Sequence, residues 1–158
     1  MDKPVWIDRD LLDDVTRAAR DSPRLRRNRN FHAEEAAKCN RLLNAIEPDS
    51  YIRPHCHAHP DKDESIVVLR GRLGALFFDP QGRVTEARTL EAGGSVLGVD
   101  IPHGTFHSVV ALEPGTVFFE AKAGPYEPLS ADEAASWAPA EGDPGAAAYH
   151  RSMAERFR

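Results

Sequence analysis

The sequence is short of cysteine, of long apolar runs and of positive charge. Cys39 and Cys56 are the only two thiols in 158 residues, too few and too far apart for a disulfide framework. No apolar run approaches the roughly 20 residues that a membrane-spanning helix needs. The start, Met1-Asp2-Lys3-Pro4, lacks the apolar segment of a signal peptide. These absences lead us to expect a cytoplasmic protein with no membrane partner and with cysteines that are inert small residues. Lys and Arg number 20 against 25 Asp and Glu, a net charge of −5. That balance argues against nucleic acid as a partner, because phosphate recognition needs an electropositive face. No Ser-His-Asp pattern, phosphate-binding glycine loop or dinucleotide fingerprint is evident. With 41% hydrophobic and 28% charged residues, the chain has the composition of one ordinary globular domain.

Along the chain, residues 8–20 read as a short amphipathic helix. Asp8 is the N-cap, and Leu11, Leu12, Val15 and Ala19 form one stripe. Ser22-Pro23 ends it. Arg24 to His32 follows as a basic, irregular connection. From about residue 40 the texture becomes short runs rich in Val, Ile, Leu and Phe. Strands are expected at 41–47, 50–57, 64–70, 72–78, 84–90, 95–100, 105–112 and 115–122. Turns fall between them at Pro48-Asp49, Gly71, Asp79-Pro80-Gln81-Gly82, Gly93-Gly94, Pro102-His103-Gly104 and Pro114-Gly115. Short strands at regular spacing without intervening helices indicate an antiparallel sandwich or small barrel. After Lys122 the chain turns Pro-, Ala- and Gly-rich, suited to wrapping the barrel surface. A last helix is expected at 146–157, packing through Ala147, Tyr149, Met153 and Phe157.

The chemistry is concentrated in Pro54-His55-Cys56-His57-Ala58-His59-Pro60 and, some forty residues later, Pro102-His103-Gly104-Thr105-Phe106-His107. Side chains alternate along a strand, so His55 and His57 share a face while Cys56 points away. Two imidazoles there, the carboxylate of Glu64 on the next strand and His107 from a later one make a mononuclear metal site. His59 has the same parity and is an alternative ligand, although Pro60 ends the strand. Glu64 has an alternative reading as a surface carboxylate. His103 belongs to an exposed turn, and His32 and His150 to solvent. Tyr51 and Arg53 share parity with the histidines. An inward Arg53 would clamp a carboxylate or phosphate, whereas one at the rim would pair with an acid. Ile66, Val68, Thr105, Val109 and Ala111 are expected to line the interior. The Arg24–Arg29 cluster either covers the pocket mouth and attracts a phosphorylated ligand or is a solvated connection.

These residues carry a resemblance. His57-x-His59 with Glu64 and Gly71 fits the first motif of the cupin superfamily, and Pro102-x-Gly104-x-x-His107 fits the core of the second. His55-x-His57 is also a His-x-His pair, which leaves the register open. Tyr51-x-Arg53-Pro54-His55-x-His57, Val67-Val68-Leu69-Arg70-Gly71 and Trp137-Ala138-Pro139-Ala140-Glu141-Gly142 resemble the WbuC family of cupin-fold metalloproteins, as does Pro23-Arg24-Leu25-Arg26. In that family the pair matches His55 and His57. Asp49 and Ala111 depart from the usual cupin pattern, and neither is at a ligand position.

The resemblance implies an all-β fold: a small cupin barrel (a double-stranded β-helix, or jelly roll) with an N-terminal helix and a C-terminal extension. Residues 1–158 would form one domain, with 1–39 as helix and basic connection, 40–123 as barrel and 124–158 as wrap. The ligand set would be His55, His57, Glu64 and His107 around one divalent ion: Zn, Fe, Mn, Ni or Co. Such a set leaves coordination positions open for water or substrate, so the ion can act as a Lewis acid or ready a bound water. The leading expectation is a metal-dependent enzyme acting on a small polar substrate, with Arg53 orienting it and Tyr51 as proton donor or hydrogen-bond partner. The WbuC likeness implies a carbohydrate-derived molecule in surface-polysaccharide metabolism. A non-catalytic ligand-binding or sensor module and an iron-dependent oxygenase are the alternatives. Cupins commonly pair through barrel edges, which implies a homodimer.

Overall fold

The computed structural model describes residues 3–158. Its order is α1 (Arg9–Arg20), β1 (Arg26–Asn30), β2 (Cys39–Ile46), β3 (Glu64–Arg70), β4 (Arg72–Phe78), β5 (Val84–Glu91), β6 (Gly98–Ile101), β7 (Phe106–Ala111), β8 (Thr116–Ala123) and α2 (Ala146–Ala154), with a closing turn of 3₁₀ helix over Glu155–Phe157. Two antiparallel sheets face each other. One has five strands in the order β1-β2-β8-β3-β6, the other three in the order β5-β4-β7. Among the described residues no helix is long and apolar enough to cross a membrane.

Period-two alternation sorts each strand between two jobs. On β2 and β8, Leu43, Ala45 and Val117 turn outward and are buried under Leu12, Val15 and Ala19 of α1. That is the stripe expected from the sequence, and Asp8 caps the helix by accepting from the Leu11 N–H at 3.0 Å. On β4 and β7, Leu76, Phe78 and Val110 turn outward against Ala146 and Met153 of α2. Each sheet therefore has its own helix on its back. Between the sheets, Ile46, Ile66, Val68, Leu73, Ala75, Leu90, Val109, Ala111 and Phe118 form the central core.

The core is apolar only toward one end, and strand register explains why. Across the inner face of the large sheet, Asn28 lies opposite Asn44, which lies opposite Phe118, then Val68. One rung along, Asn30, Leu42, Glu120 and Ile66 stand in line, and beyond them Asn40, Lys122, Glu64 and Ile101. The barrel thus closes on hydrophobic side chains and opens on amides and charges.

Three expectations are corrected. Residues 26–30 form an edge strand paired along β2, where the sequence suggested an irregular connection. Arg-Arg-Asn-Arg-Asn has neither apolar alternation nor strong β-propensity, yet it fits because its inner neighbours are themselves polar. Residues 50–57 form no strand. Pro54 has no N–H to donate to a ladder, and the segment makes only isolated bridges at His55. In α2 the buried face is Ala146, His150 and Met153, at i, i+4 and i+7, while Ala147 is exposed. His150 is therefore buried, with Nε2 2.6 Å from the Pro48 carbonyl. Tyr149 and Phe157 pack where expected.

Candidate metal centre

His107 comes from β7 and His55 from the extended segment beside it. Their backbones exchange two hydrogen bonds, His55 N–H to His107 O at 3.0 Å and the reverse at 2.8 Å. The two imidazoles consequently lie side by side, with ring centroids 4.6 Å apart. His57, two residues on, brings its ring to 5.2 Å from that of His55 and 5.8 Å from that of His107. Its carbonyl accepts from the Gly104 N–H at 2.7 Å, and Gly104 takes φ +73°, the left-handed conformation that a residue without Cβ adopts freely. The Pro102-x-Gly104 turn therefore holds His57 as well as leading into His107.

The three histidines offer nitrogen atoms that all lie within 4.8 Å of one another. Two metal–imidazole bonds of about 2.1 Å span at most about 4.2 Å, so small side-chain rotations close the set on an ion. The donors fit. Nδ1 of His55 is 3.0 Å from the Arg53 carbonyl and Nδ1 of His107 is 2.9 Å from the Thr105 carbonyl. A carbonyl only accepts, so each Nδ1 carries the proton and each Nε2 keeps its lone pair. For His107, which is 3% exposed, that Nε2 has no hydrogen-bond partner among the described residues. Burial, reinforced by the neighbouring His107, pulls His55 down to about 3, and burial likewise lowers His107. Both imidazoles are neutral at pH 7, the form that binds a metal.

Glu64 stands beside the triad. Its Oε2 accepts from His57 Nε2 at 2.8 Å, and its Oε1 lies 4.0 Å from His107 Nε2. Burial alone would raise its pKa, but the His57 hydrogen bond and the charge of Lys122 together hold it below the usual carboxylate range. Lys122 was not anticipated from the sequence. Its Nζ donates to Glu64 Oε2 and to Glu120 Oε1, each at 3.2 Å, and lies 3.2 Å from His57 Nε2. Burial works against that ammonium, but Glu120 and Glu64 outweigh it and raise its pKa. Glu120 is pushed up by burial and by the charge of Glu64, and also accepts from Asn44 Nδ2 at 2.7 Å. The signal for Lys122 was register: a cation one strand away from Glu64, on the same face.

The other candidates lie elsewhere. Tyr51 does not face the histidines. Its hydroxyl donates to the Pro139 carbonyl at 2.8 Å, and its ring packs with Leu76, Phe78 and Met153 behind the small sheet. Arg53 donates to the Ala135 carbonyl from Nε and Nη2, at 3.1 and 2.7 Å. Both residues pin the C-terminal wrap, because the segment from 50 to 57 lacks the strict alternation of a strand. His59 and His103 are exposed, His103 paired with Asp63 at 2.8 Å. His32 is half-buried, its Nδ1 accepting from the Arg41 N–H at 3.1 Å. Cys56 is buried with its pKa raised by burial, and Cys39 is exposed. In the basic cluster, Arg24 and Arg26 share Glu141 at 2.7 and 2.8 Å. Arg26 also borders the roughly 140 Å³ cavity that contains His55, Glu64 and His107.

A family model described as a domain of unknown function, DUF6016, matches residues 7–90. No curated protein matches the sequence. Solved structures do. KdgF from Halomonas sp. is 20% identical with a TM-score of 0.51, covering 67% of this chain and 84% of that one. A conserved protein of unknown function from Streptococcus pyogenes is 11% identical with a TM-score of 0.53, covering 80% and 93%. Oxalate decarboxylase from Bacillus subtilis is 18% identical with a TM-score of 0.50 over 68% of this chain, which spans only 27% of the decarboxylase. At these identities the likeness speaks for the fold. The fold is a small cupin jelly roll with an N-terminal helix.

Proposed function

This chain belongs to the DUF6016 family, and from its cluster of three histidines we propose a mononuclear divalent-metal site that binds and transforms a small polar molecule. The observation that supports this reading best is the buried, unpartnered Nε2 of His107. A buried polar atom without a partner costs about 1–3 kcal/mol, a cost that an ion in coordination range removes. His55, His57 and His107 would hold the ion. Glu64 would supply a fourth donor, an oxygen, on releasing Lys122, or accept the proton that His57 gives up. An ion so held supplies Lewis acidity or a readied water.

The chain's own groups have separate tasks. The Thr105 and Arg53 carbonyls fix the imidazole tautomers, and the Lys122 ammonium balances the two carboxylates beneath them. The inward cation beside the cluster is Lys122 rather than Arg53. The resemblance to WbuC proteins extends the reading to carbohydrate-derived substrates of surface-polysaccharide metabolism. A second reading, saturable binding without turnover, is favoured by one feature. Glu64 and Glu120 are both tied to Lys122, which weakens either carboxylate as a general base.

The test is elemental analysis of untagged protein purified without added metal, beside His55→Ala, His57→Ala and His107→Ala. Near-stoichiometric metal that is lost in all three variants is the expected result, with iron directing attention to oxygen chemistry and zinc away from it. A folded wild type that takes up no divalent ion refutes the proposal.

A further inference from the structure

Beside the histidines, on the inner face of the large sheet, lies a trough of about 330 Å³ whose asparagines have no role in the metal site. Its wall is built by strand parity. On β1 the side chains alternate, so Asn28 and Asn30 fall on the face of their inner partners Asn44 and Leu42, while Arg27 and Arg29 fall on the other. Asn40 completes the wall, one rung from Glu120. Asn28 and Asn30 are exposed on it, and Asn44 already donates to Glu120 at 2.7 Å. Asn40 is the buried one, 4% exposed, and its Oδ1 has no hydrogen-bond partner among the described residues, which is costly unless something meets it.

We infer that this trough is a binding site for an uncharged, polyhydroxylated molecule, a sugar-like ring. The charges point away from an anion. Lys122 is held between the carboxylates of Glu64 and Glu120, and Lys62 is paired with Glu127 at 2.9 Å. Glu35 and Glu120 also line the trough, so two carboxylates stand there against the one ammonium of Lys122. What it presents instead are amides that donate and accept together, with carboxylates that accept, the pattern that vicinal hydroxyls satisfy. At the rim, Tyr126 is 54% exposed, and its backbone N–H is anchored to the Glu35 carbonyl at 2.7 Å. An exposed phenol ring on an anchored backbone offers a stacking surface to the C–H face of such a ring.

Asn40, Lys122 and Tyr126 also border the roughly 200 Å³ cavity that holds His55 and His57. One molecule can therefore lie in the trough and extend toward the histidines. That extension, and it alone, rests on the metal-site reading above.

The experiment is a titration of the full chain, monitored through its side-chain amide NMR signals, with and without Zn²⁺. D-glucose, L-rhamnose and N-acetyl-D-glucosamine are the neutral probes and citrate the anionic one. The expected result is saturable movement of the Asn28, Asn30 and Asn40 amides with at least one sugar. Asn30→Leu and Asn28→Leu, each on the edge strand where folding tolerates change, weaken that binding about tenfold with metal content unchanged, equivalent to 1.4 kcal/mol. Amides that stay still with all three sugars, or that saturate with citrate instead, overturn the proposal. So do variants that bind as the wild type does. The two readings fail separately. Sugar binding that survives in His107→Ala keeps the trough even if no metal is taken up, whereas metal uptake with silent amides removes the trough alone.

Discussion

His107→Leu separates the cost of the histidine cluster from its use. In protein stripped with a chelator, the wild type carries the buried His107 Nε2 with no partner among the described residues, at about 1–3 kcal/mol. Leucine removes that atom and fills similar space, at the loss of one hydrogen bond to the Thr105 carbonyl, worth about 1 kcal/mol. The stripped variant should therefore melt at the wild-type temperature or a few degrees above it. With metal the order reverses. An ion at a hundred times its dissociation constant stabilises the native state by about 2.7 kcal/mol. Unfolding entropy near 2.1 cal/mol/K per residue comes to about 0.33 kcal/mol/K for 158 residues, so the wild type gains about 8 °C. The variant, left with two imidazoles, gains little. Calorimetry with Zn, Fe, Mn, Ni and Co in turn reads both halves. A wild type that shifts with none of them, or a variant that shifts equally, refutes the reasoning.

Gly104→Ala forces a Cβ into a φ of +73°, at roughly 1–2 kcal/mol. Because the same residue donates to the His57 carbonyl, titration calorimetry should also show weaker metal binding; unchanged affinity would separate the turn from the site. In acid, two carboxylates matter. Glu133 is held at about 2 by the Ala58 and Ser130 N–H groups, and Glu141 at about 2 by Arg24 and then Arg26 against the pull of burial. Both sit below their ordinary 4.5, so the stability they add is complete above that pH and is lost as pH falls toward 2. Melting temperature should drop across that window, and Glu141→Gln should make the drop shallower; an unchanged slope counts against the Arg24–Glu141–Arg26 contact. Finally, a Cβ on Gly74 would meet the Phe157 ring at 2.5 Å. Gly74→Ala should destabilise the protein and Phe157→Ala should relieve part of that loss, with a coupling of about 0.5–3 kcal/mol in a double-mutant cycle. Additive effects would mean that the ring does not rest there.

Much of the barrel was legible because its core strands alternate cleanly. β3 buries Glu64, Ile66 and Val68 and exposes Ser65, Val67 and Leu69, as period two requires. The N-terminal helix was legible from its cap and stripe. The histidines came together as expected because each lies next to a proline or glycine turn that limits where it can point. Signals failed where polar residues face inward. β1 reads as loop because nothing in Arg-Arg-Asn-Arg-Asn announces a buried side, and its inner face becomes meaningful only against Asn44 and Leu42 of the neighbouring strand. Lys122 was overlooked for the same reason, since pairing across strands is not visible within one. Tyr51 and Arg53 were misplaced by parity because Pro54 breaks the ladder on which parity depends, and His150 because the phase of a short helix shifts by one residue at little cost.

The paired backbones of His55 and His107 have one more effect. The same short segment is also bonded on its far side to the C-terminal wrap, through Cys56 N–H to Glu133 O at 2.9 Å and Ala135 N–H to Pro54 O at 3.0 Å. A ligand that steadies the two imidazoles therefore steadies a stretch of chain almost eighty residues further along. By reciprocity, whatever loosens that stretch loosens the ligand's grip by an equal free energy. The tail becomes a reporter: amide exchange at Ala135 should slow when the centre is filled, so occupancy can be read far from the histidines without any assay of turnover.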